Sequence, residues 1–465
     1  MAARIEKVLV IGLDCGEPSL VFGDWLEHMP NIRELCRAGT YGTLESTMPP
    51  ITVPAWSCMA ASKDPGQLGI YGFRNRADYS YDRLTISTGL DVKEPRVWDI
   101  LGTRNRNSIL VGVPGTFPIT RPIKGVMVTC FMTPGIDNDY TWPQSLKAEI
   151  AKVVGEYILD VKGFRTENKQ WLLDQIYEMT DKRFKLTRHL MQTRPWDFCW
   201  MVEMGVDRIY HGFWQFMDKA HHRYEPGNRF EHAIRDYHFH LDGLIGELLS
   251  VCDREKTAVM LVSDHGAKCM VGGLCFNDWL IREGYMALKQ PVSKPTKFDF
   301  GMVDWSRTRA WGEGGYYGRC FLNVQGREPQ GIVPQEQYEA LRDELIRKLE
   351  AMNDHEGKPL GTRVYKPQEI YRKVNGVAPD MVVIFGDLRW RSVGTVGNPD
   401  IYTFENDTGP DDANHAQMGM YTLTHPSLPA KGRVDGASIY DIAPTILRLL
   451  GVTPPGDMIG KSLVG

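Results

Sequence analysis

Short apolar runs rich in β-branched residues recur along the chain at Val8–Leu13, Ile109–Val113, Phe198–Val202, Ala258–Val262 and Met381–Phe385, and each ends in a polar or glycine-bearing turn. Unbroken apolar runs of this length predict strands buried on both faces. Between them, apolar residues return at helical spacing over Trp171–Met191, Phe230–Leu249, Tyr338–Met352 and Ile439–Leu450. Buried strands alternating with amphipathic helices predict an α/β fold, with a mostly parallel sheet covered on both faces. From about Phe276 to Pro379 the texture changes to Lys- and Pro-rich turns (KQPVSKPTKFDF), a glycine-rich stretch and a charged helix. This predicts a smaller subdomain over 276–379 inserted into a catalytic core of 1–275 and 380–465. The segment Tyr140–Lys169 reads as a smaller excursion.

At 465 residues the chain is long enough for one large α/β domain with such an insertion. A net charge of −4 gives no electrostatic case for nucleic acid or an anionic membrane as partner, so an anionic substrate needs local positive charge. The start, MAARIEKVLVIGLD, lacks the long apolar stretch and small-residue cleavage site of a signal peptide, and no run reaches membrane-spanning length. Nine scattered cysteines without a CxxC pair suit reduced thiols. The expected compartment is the cytoplasm.

Reactive groups in open α/β sheets collect at the carboxyl ends of strands. Val8–Leu13 ends in Asp14, Phe198–Val202 runs into Asp207 with His211 four residues on, and Ala258–Val262 ends in Ser263-Asp264-His265-Gly266. Carboxylates and imidazoles are the oxygen and nitrogen ligands of zinc-like divalent ions. A second Asp-His pair, Asp354-His355, sits in a polar turn with no strand behind it and reads as surface. The stretch HHRYEPGNRFEHAIRDYHFH, with His232, Asp236 and His240 on one helical face, reads as a solvated face, although His221 or His222 could border a site.

Taken in order, IGLDCGEP, PPITVPAWS, DRIYH, SDHG and NHAQMGMY resemble the motifs of the alkaline phosphatase superfamily. More narrowly, the chain resembles its type I phosphodiesterase/nucleotide pyrophosphatase-like branch, and within that a microbial group of predicted phosphohydrolases and phosphomutases. The resemblance covers nearly the whole chain and implies an alkaline-phosphatase-like α/β/α sandwich. It implies two divalent metal ions, zinc first, with manganese or iron as alternatives. Asp207, His211 and His415 would hold one, and Asp14, Asp264 and His265 the other, with the Thr52 oxygen as an added ligand. Thr52 would be the nucleophile; in PPITVPAW it also suits the N-cap of a helix, and the two roles are compatible.

Diesterases of the branch place an asparagine directly after a segment matching LGIYG, where this chain has Phe73; Asn75 lies two residues on. Asn75 is the candidate replacement, and Arg74, Asn75 and Arg76 are candidates for the additional cations or donors that a dianionic monoester would need. Cys58-Met59-Ala60-Ala61-Ser62 lacks the arginine of a formylglycine motif, which argues against sulfatase chemistry. The expected function is hydrolysis of a small soluble phosphate ester, a diester ahead of a monoester, through a phospho-threonine intermediate. A phosphomutase is the alternative within catalysis, and a metal-binding scaffold without activity the alternative outside it.

Overall fold

The strands expected near the start of the chain are joined by others that the pattern did not reveal. In a computed structural model that describes residues 4–464, Lys7–Leu13 (β1), Thr40–Glu45 (β2), Ser108–Val111 (β3), Gly125–Val128 (β4), Thr141–Trp142 (β5), Phe198–Glu203 (β6), Thr257–Val262 (β7) and Met418–Thr424 (β8) form one sheet. Its order is β2-β8-β7-β1-β6-β3-β4-β5, and the short strands Gly432–Arg433 and Ala437–Ser438 pair with β2. The five strands β7-β1-β6-β3-β4 run parallel, and β8 is antiparallel to both β2 and β7. Val8 faces Phe198 on one side and Ala258 on the other, so β1 is central and Val8–Leu13 is fully buried. Burying one such aliphatic side chain is worth roughly 1.5–3 kcal/mol.

The main helices of this sheet are Thr52–Ala61 (α1), Lys169–Thr193 (α2), Gly205–Met217 (α3), Ala233–Ser250 (α4) and Ile442–Leu449 (α5). Helices α2, α3 and α4 pack on one another, and α5 packs on α1. The rings of Trp56 from α1 and Trp98 both meet Trp200 of β6 edge-on, at 6.1 and 5.9 Å between centroids. Asn168 caps α2 by accepting from Trp171 N at 3.3 Å, so the helix begins at Lys169, two residues before the expected Trp171. Strand β3 stops at Val111 because Gly112, at φ 71°, turns the chain away.

Two compact units partition the chain. The first comprises the segments ending at Leu68, running Ser87–Ala267 and starting at His415, and it holds the large sheet. The second comprises Gly69–Ile86 and Lys268–Asn414, so the expected insertion 276–379 falls inside it but does not fill it. Met381–Phe385 was expected in the parallel sheet of the core. Instead Met381–Ile384 belongs to the second unit and runs antiparallel to both Gly318–Leu322 and Arg363–Tyr365. The hairpin at 69–86 joins this unit through tertiary contacts: Tyr81 stacks on Trp305 at 3.5 Å and donates to Asn323 Oδ1 at 2.7 Å. Among the described residues, no helix is long and apolar enough to cross a membrane.

Candidate metal centre

Seven side chains of the first unit converge at the carboxyl ends of β1, β6 and β7. Asp14 follows β1, Asp264 and His265 follow β7, and Asp207 and His211 lie one turn apart on α3, which starts two residues after β6. His415 had no strand behind it in the sequence reading. It lies in the short strand Ala413–Ala416, just before β8. Because β8 runs antiparallel to β7, the start of β8 is at the same end of the sheet as the finish of β7. Thr52 opens α1, but Ile51 is the N-cap and no side chain caps the helix, so the expected N-cap role of Thr52 is not realised.

The groups meet in two sets. Asp207, His211 and His415 offer ligand atoms within 4.8 Å of one another, as do Asp14, Asp264 and His265. His211 Nε2 is 3.2 Å and His415 Nε2 3.8 Å from Asp207 Oδ1. His265 Nε2 is 3.1 Å from Asp264 Oδ2, 3.9 Å from Asp14 Oδ1 and 3.3 Å from Thr52 Oγ1. The rings of His265 and His415 stack at 3.8 Å. All seven residues are buried, Thr52 being the most accessible at 3%.

Tautomers follow from the outer contacts. His265 Nδ1 lies 3.1 Å from Gly266 O, and His415 Nδ1 2.9 Å from Pro50 O. A carbonyl only accepts, so each Nδ1 carries the hydrogen, and a neutral ring keeps a lone pair on Nε2. Burial pushes the His265 pKa down to about 4 and that of His415 well below its usual value, helped by the neighbouring imidazoles, so both rings are neutral at pH 7.

Burial, reinforced by neighbouring carboxylates, pushes Asp14 and Asp264 well up. Burial also acts upward on Asp207, but His211 and Arg208 outweigh it and hold this carboxyl well below the usual range. Asp14 Oδ1 and Asp264 Oδ2 are buried without a hydrogen-bond partner. Lone pairs on Asp264 Oδ2 and His265 Nε2 face each other, with no proton between them in the ionised site. A proton on Asp264, which its raised pKa favours, or a cation between the groups relieves this repulsion, and buried lone-pair donors of this kind fit divalent metal.

The carboxylates are held from behind. Trp56 Nε1 donates to Asp14 Oδ2 at 2.7 Å. The approach is open because residue 12 is glycine: a Cβ there would lie 2.6 Å from Trp56 Cη2. Cys15 N donates to Asp264 Oδ1 at 3.1 Å, and Glu17 Oε2 accepts from Ala267 N at 3.1 Å. Sequence reasoning gave none of these residues a role. It also counted no thiol at the site, whereas Cys15 Sγ is within 4.8 Å of the nearest ring nitrogens of His265 and His415. Burial pushes this thiol pKa far up, and Sγ donates to Gly266 O at 3.3 Å.

The family model for type I phosphodiesterase / nucleotide pyrophosphatase matches residues 8–411. The chain belongs to this family. As a type I phosphodiesterase / nucleotide pyrophosphatase family member it is a metal-dependent phosphoric ester hydrolase. No curated protein matches it. Among solved structures it is similar to phosphonoacetate hydrolase from Sinorhizobium meliloti 1021 in complex with phosphonoformate, at 14% identity, TM-score 0.62 and coverage of 97% of this chain and 96% of that one. It is also similar to murine ectonucleotide pyrophosphatase/phosphodiesterase 5, an inactive threonine-to-alanine variant in complex with AMP, at 14% identity, TM-score 0.54 and the same coverage. At these identities the likeness establishes the fold alone, an alkaline-phosphatase-like α/β fold with a mostly parallel central sheet.

The remaining sequence candidates of this family member have the following surroundings. Arg74 and Asn75 are in the hairpin of the second unit, where Arg74 is exposed. Asn75 Oδ1 accepts from Tyr71 N at 2.8 Å, so its amide braces its own loop. The buried Arg76 guanidinium pairs with Glu328 at 3.2 Å, over the ring of Trp311. His232 and Asp236 are exposed, and His240 pairs with Asp181 at 2.6 Å. His221 stacks on His222 at 4.5 Å, and His355 packs on Phe404 at 4.9 Å. Among the described residues none of these histidines joins a group of three candidate ligands.

Proposed function

We propose that this protein hydrolyses a small phosphate ester, a diester ahead of a monoester, with Thr52 as nucleophile and a phospho-threonine intermediate. The observation that carries this reading is the buried Thr52 hydroxyl, 3.3 Å from His265 Nε2, at the first turn of α1. In the murine neighbour a threonine-to-alanine change accompanies inactivity, which supports a threonine in the reaction.

In this reading Asp207, His211 and His415 hold one divalent cation, and Asp14, Asp264 and His265 the other, with Thr52 Oγ1 as an added ligand. Zinc suits three imidazoles and three carboxylates. Two such cations, when bound, supply the charge that acidifies the Thr52 hydroxyl and stabilises the attacking and leaving oxygens. Thr52 Oγ1 forms a bond to phosphorus while the bond from phosphorus to the leaving alcohol oxygen breaks. Water then cleaves the phospho-threonine and restores the hydroxyl. The amino end of α1 favours the anion held beside it. Three carboxylates and a deprotonated Thr52 together offset two divalent cations, and Arg208, next to Asp207 on α3, is offset by its ion pair with Asp160 at 2.8 Å. The neutral sum suits a singly charged diester better than a doubly charged monoester.

The test is an acid quench of metal-loaded protein turning over bis(4-nitrophenyl) phosphate, followed by peptide mass spectrometry. A phosphoryl group is expected on the peptide containing Thr52. Thr52→Ala should keep its fold and most of its metal and lose orders of magnitude in rate. A wild-type rate in that variant would make water the nucleophile.

A further inference from the structure

Beside the proposed metal ligands lies a buried charged group that the reaction does not require. Arg208 follows Asp207 on α3, and its side chain is 9% exposed. Its Nε donates to Asp160 Oδ1 at 2.8 Å and its Nη2 to Asp160 Oδ2 at 2.8 Å. The third nitrogen, Nη1, donates to Asp207 Oδ2. One guanidinium thus grips one carboxylate with two bonds and a second carboxylate with one. Asp207 is left with Oδ1 toward His211 Nε2 at 3.2 Å and His415 Nε2 at 3.8 Å.

The grip is itself held. The ring of Phe164 covers the guanidinium carbon at 4.3 Å and meets the His211 ring at 6.1 Å. Asp160 Oδ1 also accepts from Val161 N at 2.9 Å. Asp160 and Phe164 both come from the segment between the helix Leu146–Val154 and α2, within the excursion expected at 140–169.

We propose that Arg208 and Asp160 are a positioning pair that holds Asp207 as a one-oxygen ligand for a single metal ion. The inference rests on the reading of Asp207 as a metal ligand. Two effects of Arg208 oppose each other. Its charge competes with the cation for Asp207, which weakens binding. Its fork fixes the carboxylate and keeps Oδ2 from swinging onto the ion, which strengthens binding. Orientation wins, because Asp207 without Arg208 would be a buried carboxylate free to rotate among several arrangements. Lysine cannot substitute, since a single ammonium on a flexible stem lacks the planar fork that spans both carboxylates. Asp160 in turn keeps the guanidinium from swinging fully onto Asp207.

The experiment titrates metal-free protein with Zn2+ against a chromophoric chelator, resolving two binding steps in wild type, Arg208→Lys, Asp160→Asn and the double variant. Circular dichroism confirms the fold of each. Loss of an outer partner of a ligand typically costs about 10–100-fold in metal affinity. A loss of that size is expected at one step only, in both single variants, with the double variant no worse than the weaker single one. Equal weakening of both steps, or wild-type affinity at every step in Arg208→Lys and Asp160→Asn, would overturn the positioning role. Uptake of fewer than two ions by wild-type protein would instead overturn the two-metal reading, a separate result from the ratio of variant to wild-type affinity.

Discussion

Trp56 donates its indole N–H to Asp14 Oδ2 at 2.7 Å, so one oxygen of a fully buried carboxylate has a fixed donor while the other, Oδ1, has none. The two residues come from α1 and the end of β1, and they meet because Gly12 leaves room for the indole. Trp56→Phe keeps an aromatic side chain of smaller volume and removes the donor. Leaving a buried acceptor unsatisfied costs about 1–3 kcal/mol. The variant should melt earlier and bind metal more weakly, by about 10–100-fold at one site. Thermal melts and metal titration read both effects. Unchanged metal affinity would mean that the indole packs and does not orient.

The two Asp-His pairs give a contrast within one protein. His265 is fully buried with Nε2 facing two carboxylates, while His355 is exposed against Phe404. His265→Ala should lower metal content and activity together, and His355→Ala should leave both near wild type. Elemental analysis of the two variants purified without chelator separates them, and equal metal loss would remove His265 from the ligand set.

A pH dependence follows from a histidine away from the metal groups. Burial pushes His238 down to about 4, although its ring bonds to Ile234 O, and its Nε2 meets the Tyr210 hydroxyl at 2.9 Å. Between the ordinary value near 6.5 and about 4, the unfolded chain binds a proton that the folded one does not. Stability is therefore full above pH 6.5 and falls as the pH drops through that window, by on the order of 3 kcal/mol for a shift of this size. His238→Gln cannot titrate and should flatten the dependence of denaturant midpoint on pH. A slope equal to wild type would show that other groups set it.

Removing metal should destabilise the protein, since three carboxylates buried together would lose their counter-charge. Binding adds about 2.7 kcal/mol when free ligand exceeds its dissociation constant 100-fold. Protein treated with chelator should melt earlier and recover with Zn2+ or Mn2+. Thr52→Ala should show nearly the same recovery, because six side-chain ligands remain. An identical melt before and after chelation would count against a buried cation site.

Local pattern was enough for β1, β6 and β7, because a strand buried on both faces must be apolar throughout, and the carboxyl end of such a strand, where candidate ligands gather, follows from its direction. Asp14, Asp207, His211, Asp264 and His265 were legible for that reason. Thr52 and His415 were reached only through the resemblance of ordered motifs. Their positions depend on a helix start and on β8, which carries its chain antiparallel to β7. The rest was decided in three dimensions. Met381–Ile384 has the composition of a core strand, yet its partners make it part of the second unit's antiparallel sheet, and composition does not encode partners. That Arg76 pairs with Glu328, 252 residues on, could not be read from its neighbours in the chain. Arg208 stood in plain view beside Asp207, but its role depends on Asp160, 48 residues earlier in the chain. Periodicity and turn chemistry act over a few residues, whereas a buried ion pair is set by where distant segments pack.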